Sequence, residues 1–264
     1  MKIGAQLYNL RECFKNKEEF EQTLKKVSEI GFRYVQDCFN CAYEPEWFKE
    51  KLEKYGLKCI ITHANQDKML KDPEGVCNEH DVFDCQYIGV GSMPRLWDVD
   101  KYSSDEIYKK FKEEFIPIMK TFKEKGKYFM YHNHYFEFAK LESGKYIWDE
   151  LVNEIPADLM GFVLDTYWIQ YAGKDPAEEI EKLKGRIPCI HFKDYSIVRG
   201  PREQAVRYAP VGSGNLNWDK IISACEKAGV EYAFIEQDLC YGADPFECLK
   251  SSFEFLKSKG LEVE

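Results

Sequence analysis

Apolar and polar positions along the chain repeat one unit. A short apolar run leads into a polar loop, then an apolar stripe at helical spacing, then a glycine, then the next run. The runs predict strands over Ile3–Leu7, Tyr34–Phe39, Lys58–Ala64, Tyr87–Ser92, Tyr128–His134, Met160–Trp168, Ile187–Asp194 and Tyr232–Asp238. Among the stripes, Phe20, Leu24, Val27 and Ile30 stop at Gly31, and Trp47, Phe48, Leu52 and Tyr55 stop at Gly56. Ile107, Phe111, Phe115, Ile118, Met119 and Phe122 form a longer one before Gly126. Ile180 and Leu183 precede Gly185, and Phe246, Leu249 and Phe253 precede Gly260. Trp218, Ile221, Ile222 and Cys225 precede Gly229, with Asn217 as the N-cap.

Strand alternating with helix implies right-handed parallel crossovers. Eight units in 264 residues match a closed (β/α)8 barrel. An open doubly wound sheet would want a glycine-rich phosphate loop after the first strand, and Leu7-Tyr8-Asn9-Leu10-Arg11 offers none. The expectation is therefore a single α/β barrel domain over residues 1–264. One segment breaks the rhythm: a long loop, 195–216, expected over the C-terminal rim, with Arg199, Arg202 and Arg207 ahead of Gly212-Ser213-Gly214. Long ordered loops are usually functional, so a substrate lid and a solvated insertion both stay open.

With 44% hydrophobic residues and no linker-like tract, the chain has ample material for one large core. A formal net charge of -9 disfavours nucleic acid or an anionic membrane as the main partner. No run reaches transmembrane length, and no export signal is visible, so the ten cysteines are expected to be reduced thiols in the cytoplasm. Cys38 and Cys41 form the one C-x-x-C, without the second pair a zinc ribbon needs.

Candidate chemistry concentrates at the strand ends. Of five histidines, His63, His132, His134 and His191 fall at or near C-terminal ends of predicted strands, and His80 does not. A parallel barrel puts those ends on one rim, together with Asp165 and Glu236. Imidazole with carboxylate suits Mn²⁺, Co²⁺, Zn²⁺ or Fe²⁺, and an all-oxygen Mg²⁺ cage is disfavoured. Lys193, two residues beyond His191, should point the same way, where it would donate to a substrate oxygen or sit as a salt-bridged rim lysine.

In Tyr131-His132-Asn133-His134-Tyr135-Phe136-Glu137-Phe138, Gly161–Trp168, His191-Phe192-Lys193-Asp194, Gly212–Trp218 and Ile235-Glu236, the chain resembles the xylose-isomerase-like TIM-barrel superfamily, in its sugar phosphate isomerase/epimerase branch. The resemblance covers nearly the whole chain. It implies one divalent metal ion held by His132, Asp165, His191 and Glu236 at the ends of strands five to eight. Many relatives carry glutamate in place of His132, and there the two glutamates also serve as a pair of bases. Here His134, Glu137 or water stay open as alternatives to His132.

The implied activity is isomerisation or epimerisation of a sugar or sugar phosphate through an enediolate, with Glu236 as base and His132 or His134 as partner acid. His63, Lys193, Glu137, Trp168 and Arg207 are the expected substrate-binding residues, although His63 could pack in the core, Trp168 could pack the rim, Glu137 could orient a histidine and Arg207 could face water. A dehydratase or lyase acting on a keto-sugar or keto-inositol would use the same site, and a non-catalytic sugar-binding barrel is a third possibility. The partner is a small carbohydrate, and homo-oligomerisation is left open. Endonuclease activity, known for barrel relatives, fits worst, because it would need a cationic DNA-binding face.

Overall fold

The computed structural model describes residues 1–98, 100–200 and 205–263. Eight parallel strands close into a barrel: β1 (Lys2–Gln6), β2 (Tyr34–Asp37), β3 (Lys58–His63), β4 (Tyr87–Val90), β5 (Tyr128–His132), β6 (Met160–Asp165), β7 (Cys189–Phe192) and β10 (Tyr232–Ile235). Between β7 and β10 lies an antiparallel hairpin, β8 (Asp194–Ile197) with β9 (Val206–Ala209). Closure is direct, since β1 pairs with β2 on one side and with β10 on the other.

Helices surround the barrel: α1 (Lys17–Ile30), α2 (Pro45–Lys54), α3 (Gln66–Lys71), α4 (Pro73–Val82), α5 (Ser104–Glu124), α6 (Ile147–Glu154), α7 (Thr166–Tyr171), α8 (Pro176–Lys182), α9 (Trp218–Ala228) and α10 (Pro245–Ser258). Their starts follow local chemistry. Asn16 and Asn217 cap α1 and α9 through side-chain oxygens, and Ser103 with Glu106 forms a capping box on α5. Gly229 ends α9 in the left-handed conformation, φ 81°. The stops after α4 and α6 use no glycine: Asp84 takes the positive φ (55°) after α4, and Pro156 follows α6.

Two expectations need correction. The sixth strand ends at Asp165 and does not reach Trp168, because Asp165 Oδ1 accepts the Trp168 backbone N–H (3.0 Å) and caps α7. The 195–216 segment is also more than a loop, since it contains most of the hairpin. Buried Asp194 anchors it, accepting N–H groups from Tyr195, Gly212, Gly214 and Leu216 and the Trp218 indole N–H at 2.7 Å.

The main core packs helices on strands, and a smaller cluster fills the barrel lumen: Ile61, Met130, Val163, Cys189 and Phe234. Gly4 makes room for that layer, because a β-carbon there would stand 2.5 Å from the Phe234 ring. Below it, strand-opening tyrosines meet in pairs, Tyr34 with Tyr232 and Tyr87 with Tyr128, at ring distances of 5.2 and 6.4 Å.

Candidate metal centre and substrate pocket

Successive side chains on a strand alternate faces, so a residue two places past a lumen residue also points inward. Ile61 is followed in this way by His63, Met130 by His132, Val163 by Asp165, Cys189 by His191 and Phe234 by Glu236. The apolar layer thus carries a polar layer on top of it.

In that layer one donor atom each from His132, Asp165, His191 and Glu236 falls within 4.8 Å of the others, and all four residues are buried. His132 Nε2 stands 3.6 Å from Asp165 Oδ2, and His191 Nδ1 stands 2.5 Å from Glu236 Oε2. The outer nitrogens are engaged from behind: His132 Nδ1 with the Gly91 carbonyl (3.0 Å) and His191 Nε2 with Gln36 Oε1 (2.7 Å). Both partners are acceptors, so the outer nitrogens carry the protons and the inner ones present lone pairs. His132 Nε2, His191 Nδ1 and Asp165 Oδ2 have no partner of hydrogen-bond geometry. Buried polar atoms are rarely left so, and three converging on one point fit a bound cation. The donor set, two imidazoles and two carboxylates, suits a divalent transition metal.

Lys193 is buried beside this centre, its Nζ 2.6 Å from Asp238 Oδ2, 3.0 Å from Glu236 Oε1 and 3.7 Å from Asp165 Oδ2. Burial works against its charge, but Glu236, Asp165 and Asp238 outweigh burial and hold its pKa well above the usual lysine range. Burial tends to raise the Glu236 pKa, yet Lys193 and His191 hold it well below the ordinary carboxylate value. Burial, reinforced by His132, pushes His134 down to about 2 and His63 well below the ordinary imidazole value, so both rings are neutral.

Above lies a pocket of about 610 Å³, walled by Tyr8, Arg11, Trp97, Trp168, Tyr208 and Leu239. Of the expected substrate residues, His63, Lys193 and Trp168 line it, as do His132, His134 and Glu236. Glu137 does not. It is buried and accepts the Tyr131 hydroxyl (2.6 Å) and the His134 backbone N–H (2.9 Å), which places it behind His134. Arg207 does not line the pocket either. It is exposed and lies over the Tyr241 ring at 5.0 Å, while Arg202 lies outside the described residues. The sequence reading missed Gln36, Asp238, Arg11, Trp97 and Tyr208. Asp238 was within reach of strand alternation, two places past Glu236. Tyr208 was not, because only the hairpin brings it to 5.0 Å from Lys193 Nζ.

Comparison with known proteins agrees with this architecture. A family model described as a xylose isomerase-like TIM barrel matches residues 24–259. Among solved structures, a sugar phosphate isomerase/epimerase from Parabacteroides distasonis superposes with a TM-score of 0.78 at 22% identity, covering 97% of each chain. A probable 3-DHS dehydratase, AsbF, from Bacillus anthracis gives 0.71 at 18% identity, covering 97% of this chain and 99% of that one. The IolI protein, solved with a bound zinc atom, gives 0.71 at 14% identity, covering 98% and 97%. No curated protein matches the chain. Among the described residues, no helix is long and apolar enough to cross a membrane.

Proposed function

The chain belongs to the xylose isomerase-like TIM barrel family, and from that premise we propose that it is a divalent-metal-dependent isomerase or epimerase of a small keto sugar. The observation that carries this reading is the convergence of unpartnered donor atoms from His132, Asp165 and His191 beside Glu236 on the pocket floor. Those four residues would hold the ion. When bound, it would supply a Lewis acid for a carbonyl and its neighbouring hydroxyl.

The remaining chemistry belongs to the chain. Glu236 stays ionised, lines the pocket and is the base that takes the α-proton. Lys193 keeps its proton and is a fixed positive charge that stabilises the oxyanion developing as that proton leaves. His134 and His63 bind hydroxyl groups as neutral rings, since His134 Nδ1 and His63 Nε2 lack protein partners. His132, with Nε2 facing the ion and its Nδ1 proton on the Gly91 carbonyl, serves as a ligand, and Glu236 hands the proton it has taken to the neighbouring carbon. Trp97, Trp168 and Tyr208 shield the site from water.

The test is α-hydrogen exchange into D₂O from a panel of ketoses, followed by NMR. Chelation should abolish exchange and Mn²⁺ or Co²⁺ should restore it. Exchange that survives chelation would remove the metal from the account, and sugar binding without exchange would favour a non-catalytic barrel. One feature favours a second reading. A histidine stands where a two-base mechanism would want a second carboxylate, so Glu236 could take the proton while a β-hydroxyl departs as water. Net water loss in the same spectra would identify a dehydratase.

A further inference from the structure

We infer that the substrate is an uncharged carbohydrate and not a sugar phosphate, an inference that rests on the site assignment above and narrows its substrate class. A phosphate ester carries about -1.5 to -2 charge at neutral pH and needs free cations or unpaired backbone N–H groups. Among the described residues lining the pocket, the strong cations are Lys193 and Arg11. Three carboxylates already surround Lys193. A divalent ion on the floor would offset Asp165 and Glu236 but leave Asp238 on the lysine at 2.6 Å. Arg11 is partly held: Nη1 donates to the Tyr8 carbonyl and Nη2 to the Asp238 carbonyl, both at 2.9 Å, and the guanidinium is fixed 4.1 Å from the Tyr8 ring centroid, which engages two of its five N–H groups.

Backbone donors are occupied in the same way. Barrel enzymes commonly bind phosphate with the loops after the seventh and eighth strands and the N-terminus of a nearby helix. Here the glycine loop after β7 has its Gly212 and Gly214 N–H groups on Asp194 Oδ2, at 3.0 and 3.1 Å. A β-carbon at Gly214 would lie 2.3 Å from Asp194 Oδ1, so the loop is closed tightly around its own anion. After β10, the Gln237 N–H goes to Asn9 Oδ1 (2.7 Å), and the start of α10 is capped by Asp244. The chain's own carboxylates and amide oxygen thus engage Lys193 and the backbone N–H groups of both loops, leaving Arg11 as the one pocket cation, among the described residues, with no carboxylate on it.

The outer wall offers something else. Tyr8, Trp97, Trp168, Tyr208 and Leu239 give it an apolar surface, and Trp97 and Leu239 are 58% and 51% exposed. The 610 Å³ volume falls among cavities that enclose drug-sized ligands, about 300–1,000 Å³. Flat apolar walls suit the C–H faces of neutral sugars.

Matched pairs test the inference: D-fructose against D-fructose 6-phosphate, and D-xylulose against D-xylulose 5-phosphate. Each is assayed with Mn²⁺-loaded protein for binding by calorimetry and for α-hydrogen exchange in D₂O. The neutral member should win by at least about tenfold in each pair, and millimolar inorganic phosphate should not compete. Preference for the phosphate esters, with exchange, would overturn the inference and leave the proposed reaction standing. Neutral sugars that bind better but exchange nothing would sustain the inference and end the proposed reaction. If no member of either pair binds, both fall. Asp238→Asn supplies an independent check, because releasing Lys193 from its nearest carboxylate should shift selectivity towards the phosphate esters. Unchanged selectivity in a folded variant would remove the charge argument.

Discussion

The two ends of the barrel are built from the same strands yet obey opposite rules. Towards the N-terminal end, Ile61, Met130, Val163, Cys189 and Phe234 fill the lumen over a ring of tyrosines. Two residues further along the same strands, His132, Asp165, His191 and Glu236 are buried as well, with His63 half-buried beside them, and several of their atoms have no partner. One end has the satisfied packing of a core, and the other holds unsatisfied groups that only function explains. The histidines repeat the contrast. His80 is buried outside the barrel end with both nitrogens engaged, by Thr62 Oγ1 (2.8 Å) and the Val76 carbonyl (2.7 Å). His63, His132, His134 and His191 each leave one nitrogen open towards the pocket or its floor.

The contrast predicts that damage at the two ends separates. Asp165→Asn should show the largest effect, lowering activity by about a thousandfold or more and weakening metal binding at least about 100-fold. The metal-free form should lose little stability, because asparagine keeps the oxygen that caps α7. A large drop in its melting temperature would make Asp165 a structural residue. At the other end, Phe234→Ala should cost about 3–5 kcal/mol in urea unfolding while the folded fraction still binds metal. Gly4→Ala, crowding the same ring, should cost about 1–3 kcal/mol alone and much less in the Phe234→Ala background. Additive losses would mean the two positions do not share that space.

The smallest expected effect concerns pH. Burial lowers His80 to about 4, below the ordinary 6.5 it has when unfolded. Between those values the unfolded chain binds the extra proton, so stability is present above pH 6.5 and falls as pH drops towards 4. At about 1.4 kcal/mol per unit, this is on the order of 2 kcal/mol between pH 6.5 and 5. His80→Gln should flatten that segment of the stability profile, and a profile identical to wild type would show that other groups set it.

Much of this was legible in the chain itself, because strand periodicity also encodes direction. An apolar run ending in His132, Asp165, His191 or Glu236 names both the strand and its site residue, and all four side chains meet. Errors arose where the signal was tertiary. Helices α3, α4 and α6 lacked the glycine stop that marked the others. Trp168 looked like strand because the cap at Asp165 is a single hydrogen bond. For Glu137 and Arg207 the chain leaves two places open each, and the coordinates choose the one away from the pocket: hydrogen bonding buries the first behind His134, and the second is exposed on the hairpin. Asp194 was read as the end of a strand, and its role as the internal anion of the Gly212–Gly214 loop needed coordinates.

The most direct test is metal analysis combined with anomalous diffraction on crystals grown with Mn²⁺. One ion per chain, coordinated by His132 Nε2, Asp165 Oδ2, His191 Nδ1 and a Glu236 oxygen, is the predicted result. Crystals grown with Mn²⁺ that show no anomalous peak among those four side chains, or a peak elsewhere in the barrel, would contradict it.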